Sequence, residues 1–191
     1  MNGAKHRLPG PTHSESHVPC PPFPFAVSDE TASPPAREQI IAPIRNSVRA
    51  LIMRHNRVLL LRKQRPDGGP RYVLPGGGQE LGESIEQTLW RECLEEIGVP
   101  VDMVALLHVA EIFKARDTRP KSFRQQIEFI FDCRVPADYV AGPGEKPDKG
   151  QLAVEWIDLS QIDVIDLWPT GTRKLVRQAA LRQGPVYLGP V

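Results

Sequence analysis

Residues 76–99 read GGGQELGESIEQTLWRECLEEIGV, a run of glycines followed by a segment dense in carboxylates. Ser84 with Gln87 three residues later has the pattern of a capping box, and Gly98 stands where a left-handed C-cap belongs. The spacing therefore predicts a helix over 84–97. At about 100° per residue, Ile85, Leu89, Trp90, Cys93, Leu94 and Ile97 fill one half of the wheel. Glu92, Glu95 and Glu96 share an arc of about 100° beside it, at the border of the face expected to be buried. Like charges at this spacing repel, and setting them beside packed structure is costly unless a cation neutralises them. Taken alone, three such glutamates are more simply a solvated face. The glycines add the complementary part: they let backbone groups approach a metal or a phosphate where a Cβ would obstruct. Oxygen-rich, partly hydrated sites suit Mg²⁺. The pair of features points to chemistry on phosphates.

Around this helix the pattern is one of strands. SVRALIM (47–53) and RVLLLRK (57–63) flank His55-Asn56 as in a hairpin, and RYVL (71–74) is a short strand ending at Pro75. Downstream come VALLHVAEIF (104–113), a basic loop over 114–122, RQQIEFIFDCRV (124–135), a loop over 136–150 and LAVEWIDL (152–159). In the second of these strands Ile127, Phe129, Phe131 and Cys133 alternate with Gln126, Glu128, Ile130 and Asp132, so the first set is expected to form the drier face. A last helix is expected near 172–183, capped by Gly184. Strands on both sides of a helix, with a second helix late in the chain, imply an α/β (α+β) fold with a mixed sheet between helices.

With 191 residues, the chain has room for one domain and an appendage. Its 40% hydrophobic and 25% charged residues are ordinary for a globular protein, and a net charge of +1 favours no polyanionic partner. Residues 1–42 hold eight prolines (at positions 9, 11, 19, 21, 22, 24, 34 and 35) and little apolar periodicity, so a disordered arm is expected there. His13, His17 and Cys20 lie in that arm at a spacing a metal could use, but structural zinc takes four ligands and a chance cluster is the better reading. Three widely spaced cysteines suggest no disulfide framework. No run approaches the roughly 20 apolar residues of a spanning helix, and no apolar stretch follows the first charges. No membrane partner and a cytoplasmic setting are expected.

The spacing Gly77, Glu83, Arg91-Glu92, Cys93, Glu95-Glu96, Gly98, Val99 is identified as a Nudix box, with every charged and glycine position filled. Cys93 stands where a larger aliphatic residue is usual; buried cysteine is itself a small hydrophobe. The lead-in YVLPGG resembles the family's approach strand, with Tyr72 where Trp is common. The looser resemblance runs from 43 to 184, leaving 1–42 as the arm and 185–191 as a tail. It implies a Nudix-type α/β/α sandwich and Mg²⁺-dependent hydrolysis, with Mn²⁺ as an alternative metal, of the diphosphate linkage in a small-molecule nucleoside diphosphate derivative. By the same resemblance Glu92, Glu95, Glu96 and the Gly77 carbonyl would be metal ligands. Glu83 would support a second metal, and Arg91 would orient the carboxylates through charge-assisted hydrogen bonds. The general base stays open between Glu92 and a carboxylate outside the box, for which Glu111, Glu128, Glu145 and Glu155 are candidates.

Substrate is not legible at this level. The basic stretches 62–71 and 114–124 could pair with phosphates the metals leave uncovered, or be solvated loops. Lys114-Ala115-Arg116, at the place where some subclasses carry Pro or Tyr, matches neither. PCPPFPFAVS (19–28) and VLLLRKQRP (58–66) resemble other subclass motifs too loosely to assign one. The rival reading is a catalytically silent Nudix domain serving as a nucleotide sensor or regulatory module, although such relatives usually lack box carboxylates and this chain keeps all of them. No helix-turn-helix or aromatic-basic interleaving marks a nucleic-acid binder. Oligomeric state is open, a homodimer included.

Overall fold

The computed structural model describes residues 36–40, 43–65, 67–116, 118–181, 184 and 186–190. Most of the expected arm, with His13, His17 and Cys20, lies outside them. Among the described residues seven strands form one mixed sheet: β1 (Arg45–Arg54), β2 (Arg57–Gln64), β3 (Pro70–Val73), β4 (Asp102–Arg116), β5 (Ser122–Arg134), β6 (Gln151–Asp158) and β7 (Tyr187–Pro190), in the order β3-β2-β1-β5-β4-β7, with β6 also on β2. His55 and Asn56 turn β1 into β2 with φ of 48° and 59°, the two positive values a tight type I′ hairpin needs. β1 runs parallel to β5, and β5 pairs with β4 in a long antiparallel hairpin. That hairpin takes in Lys114–Arg116, so the basic segment expected as a loop is partly strand. β7 adds a parallel edge strand to β4, in the stretch expected to be a tail.

The pleat divides the core in two. Val48, Ala50, Ile52, Leu59 and Leu61 pack with helix α1 (Ile85–Ile97), while Leu51, Val58, Leu60 and Ile130 pack with helix α2 (Thr172–Ala180). The helices thus cover opposite faces, as an α/β/α sandwich requires. α2 ends four residues before Gly184: its last turn tightens, with the Leu181 N–H donating to Gln178 C=O as well as Arg177 C=O, so Leu181 and not Gly184 is the cap. No helix among the described residues is long and apolar enough to cross a membrane.

Two burial expectations are corrected. On α1, Trp90 and Leu94 are 49% and 50% exposed, whereas Thr88 and Glu96 are buried. The buried stripe is rotated toward the carboxylates, and Trp90 lies at its margin with its indole N–H on Val101 C=O. On β5 the fully buried residues include Gln126, Glu128 and Ile130, while Ile127, Phe129 and Phe131 are only partly buried. Both faces of this strand are covered, and the polar side chains survive burial because they bond to one another, as described below.

Candidate active site

The glycine run is pinned to β1. Ala50 N–H donates to Pro75 C=O and Val48 N–H to Gly77 C=O, both at 2.9 Å. Gly76 has φ of 120°, and a Cβ there would collide with the Val48 carbonyl. Each successive glycine then meets a different charged side chain. Gly76 N–H donates to Glu96 Oε2 at 2.7 Å while its carbonyl accepts from Arg49. A Cβ on Gly77 would fall into the Glu92 carboxylate, and one on Gly78 into the Arg45 guanidinium. The absence of side chains is what allows this approach.

Helix α1 presents the carboxylates from a well-specified frame. Ser84 Oγ accepts from Gln87 N–H and Gln87 Oε1 from Ser84 N–H, and Gly98 takes the left-handed cap at φ 77°. Arg91 is the hub: its Nε and Nη2 reach the two oxygens of Glu83 at 2.6 and 3.0 Å, its Nη1 reaches Glu92 at 2.9 Å, and Nη1 lies 3.7 Å from Glu95. Glu83 also accepts from Glu80 N–H and Thr88 Oγ1. The Arg91 guanidinium is the main cause that holds the Glu83 carboxyl down at about 2.

Glu96 is 1% exposed and lies apart from that hub. Lys63 Nζ donates to its Oε1 at 3.0 Å and to Asp148 at 2.6 Å. Burial pushes the Glu96 carboxyl up to about 7, with Lys63, Gly76 N–H and Arg49 opposing the shift. The loop leading to β6 closes the end of the helix: Gly144 N–H donates to Glu96 C=O, Lys146 N–H to Glu95 C=O and the Gln151 amide to Glu96 C=O.

Sequence reasoning missed the support beneath the glycines. Glu128 Oε1 accepts from Arg49 Nε at 2.8 Å and from Ser47 Oγ and Gln126 Nε2, both at 3.2 Å, and Gln126 also donates to Ser47. Arg49 carries this buried cluster to the carbonyls of Leu74 and Gly76. The signal was the i, i+2 spacing of Ser47/Arg49 and Gln126/Glu128 on two strands, which only strand pairing brings together. Of the other carboxylates named from sequence, Glu111 is held by Tyr187 and Gln125, Glu155 pairs with Arg62, and Glu145 is exposed in the loop at the end of α1. Asp148, not singled out by sequence, reaches Glu96 through Lys63.

The structure holds Glu92, Glu95 and Glu83 on Arg91 and Glu96 on Lys63. Among the described residues no three such side chains close around one point. The donor chemistry nevertheless fits a hard divalent ion: carboxylate oxygens from one helix stand over a glycine backbone whose Gly77 position a Cβ would fill.

Comparison with known proteins places the chain in a family. The oxidized purine nucleoside triphosphate hydrolase of Mus musculus is 31% identical over 121 residues, 62% of this chain and 69% of that protein. The ADP-ribose pyrophosphatase of Methanocaldococcus jannaschii is 31% identical over 116 residues, 61% of this chain and 63% of its own length. A solved NUDIX hydrolase from Nitrosomonas europaea shares the fold with a TM-score of 0.59 at 20% identity, covering 79% of this chain and 80% of its own. The profile of the NUDIX domain matches residues 43–179, the span that carries the glycine loop, the carboxylate helix and the sheet between the two helices, and the chain belongs to the Nudix hydrolase family.

Proposed function

We propose that this chain hydrolyses the diphosphate linkage of a small nucleoside diphosphate derivative in the presence of Mg²⁺, or Mn²⁺ in its place. The observation that carries the reading is the Glu92 carboxylate lying directly against Gly77, at the end of a loop that brings backbone to the helix glutamates. Glu92, Glu95, Glu96 and the Gly77 carbonyl would hold the metal. A bound divalent ion would neutralise the diphosphate and lower the pKa of an attacking water. The chain's own part is positioning. Arg91 orients Glu92 and Glu95, and Glu83 fixes Arg91 by a two-pronged pair. Lys63 offsets the buried charge of Glu96.

The hydrolases named among the relatives act on nucleotide derivatives, and the intact box favours catalysis over a silent sensor. The expected setting remains cytoplasmic. Purified protein with Mg²⁺, offered nucleotides and diphosphate conjugates with products identified by mass, should release phosphate-ended products. Glu92→Gln should lower turnover by about a hundredfold or more. No turnover of any compound, with nucleotide binding retained, would establish the sensor reading instead.

A further inference from the structure

The strand registers place a second set of charges on the other side of the glycine loop. Arg45 pairs with Gln126 and Ser47 with Glu128 across β1 and β5, while Gln126 pairs with Ile112 and Arg124 with Lys114 across β5 and β4. Paired residues point to the same face. Arg45, Arg49, Arg124 and Lys114 therefore share one face of the sheet, and Glu128 is the carboxylate whose strand positions lie among theirs.

Glu128 is already committed: its Oε1 accepts from Ser47, Arg49 and Gln126. Among the described residues Arg45, Arg124 and Lys114 have no ion-pair partner. Arg45 and Lys114 are exposed. Arg45 lies against Gly78, one residue beyond the glycine that meets Glu92. The Lys114 ammonium extends over Trp168, 4.7 Å from the ring centre, and the Arg71 guanidinium lies 5.6 Å from the same centre. Crowding by protein atoms lowers the Lys114 pKa, and the positive charges of Arg49, Lys63 and Arg45 add to the effect against Glu128. Cations gathered this way repel, and an anion among them removes the cost.

Resting on the hydrolase reading above, we infer that the substrate carries a further phosphoryl group beyond the diphosphate to be cut, seated between Arg45 and Lys114. The group is either a phosphomonoester on the conjugate or an added unit of a longer polyphosphate chain. A neutral base or sugar brings no charge to this face.

Binding measured with EDTA present, so that nothing is hydrolysed, tests the inference apart from the hydrolase reading. Titration calorimetry on the full chain compares matched pairs: NADP with NAD, coenzyme A with its dephospho form, and adenosine tetraphosphate with ATP. In at least one pair the extra phosphate should tighten binding by about tenfold, what one charge-assisted hydrogen bond supplies. The pair that responds identifies a phosphomonoester or a longer chain. The advantage should shrink with added salt and collapse toward unity in Arg45→Gln and Lys114→Gln, while Lys114→Arg keeps most of it. Equal affinities within every pair, no binding at all, or an advantage that survives both Gln variants overturns the inference. Tighter binding of a phosphorylated partner without turnover in Mg²⁺ sinks the hydrolase reading and leaves this one standing; turnover with no phosphate preference does the reverse.

Discussion

The two helices cover opposite faces of one sheet, yet they are held in different ways. α1 is specified locally, with a reciprocal capping box at its start and a left-handed glycine at its end, and it buries Glu96 and Thr88 along with Leu89, Cys93 and Ile97. α2 has no side-chain cap, ends in a tightened turn and buries Thr172, Leu175 and Val176. The difference follows from what each helix carries. α1 must hold glutamates at fixed positions against a glycine loop, so its register is fixed from both ends. α2 only has to cover apolar residues, and tertiary packing suffices for that.

Truncating the core on each side is the strongest way to break this comparison. Leu89→Ala and Leu175→Ala remove side chains that are 0% and 2% exposed, and each should cost about 2–5 kcal/mol in denaturant unfolding. Only Leu89→Ala should also lower turnover per folded molecule, because it loosens the helix that bears the carboxylates. Equal losses of turnover from both variants would mean that α2 is part of the catalytic frame.

Gly144→Ala should come next. A Cβ there collides with the carbonyls of Leu94 and Glu95, so the loop must back away from the end of α1. A loss of about 1–3 kcal/mol is expected, as for other overpacked sites. An unchanged unfolding midpoint would show that the loop does not brace the helix. Ser84→Ala should remove about 1 kcal/mol by deleting the reciprocal cap, an interaction for which α2 offers no counterpart.

The smallest effect is one of pH. Glu83 titrates near 2 in the folded protein, below its ordinary value of 4.5, chiefly because Arg91 bonds to it. Its contribution is therefore full above about 4.5 and is lost as pH falls through 2. Wild type should exceed Glu83→Gln in thermal midpoint at neutral pH, and the gap should narrow as the solution is acidified. A gap that stays constant between pH 2 and 5 would show that the Arg91 pair does not stabilise the helix mouth.

Much of α1 was legible because its signals are local: caps, periodicity and the glycine lead-in lie within one short stretch. The His55-Asn56 hairpin was legible for the same reason. Periodicity alone put Trp90 and Leu94 inside, because it locates a stripe without saying what the neighbouring sheet can cover. The alternation in β5 likewise favoured Phe129 and Phe131 as the dry side, while Gln126 and Glu128 are the more buried.

By itself the sequence determined the ends of α1, the tight hairpin, the glycines that let charged groups meet backbone, and the spacing of the carboxylates. These depend on residues within a few positions of one another, where sterics and short hydrogen bonds decide. The tertiary structure decided which charges meet. It joined Glu128 to Arg49, Lys63 to Glu96 and Asp148, and set Arg45 and Lys114 on one face, across as many as 85 positions of chain. Strand pairing, with the packing of α1 and the loop before β6 on the sheet, converts such distant residues into neighbours, and their electrostatic energies exist only once it has done so.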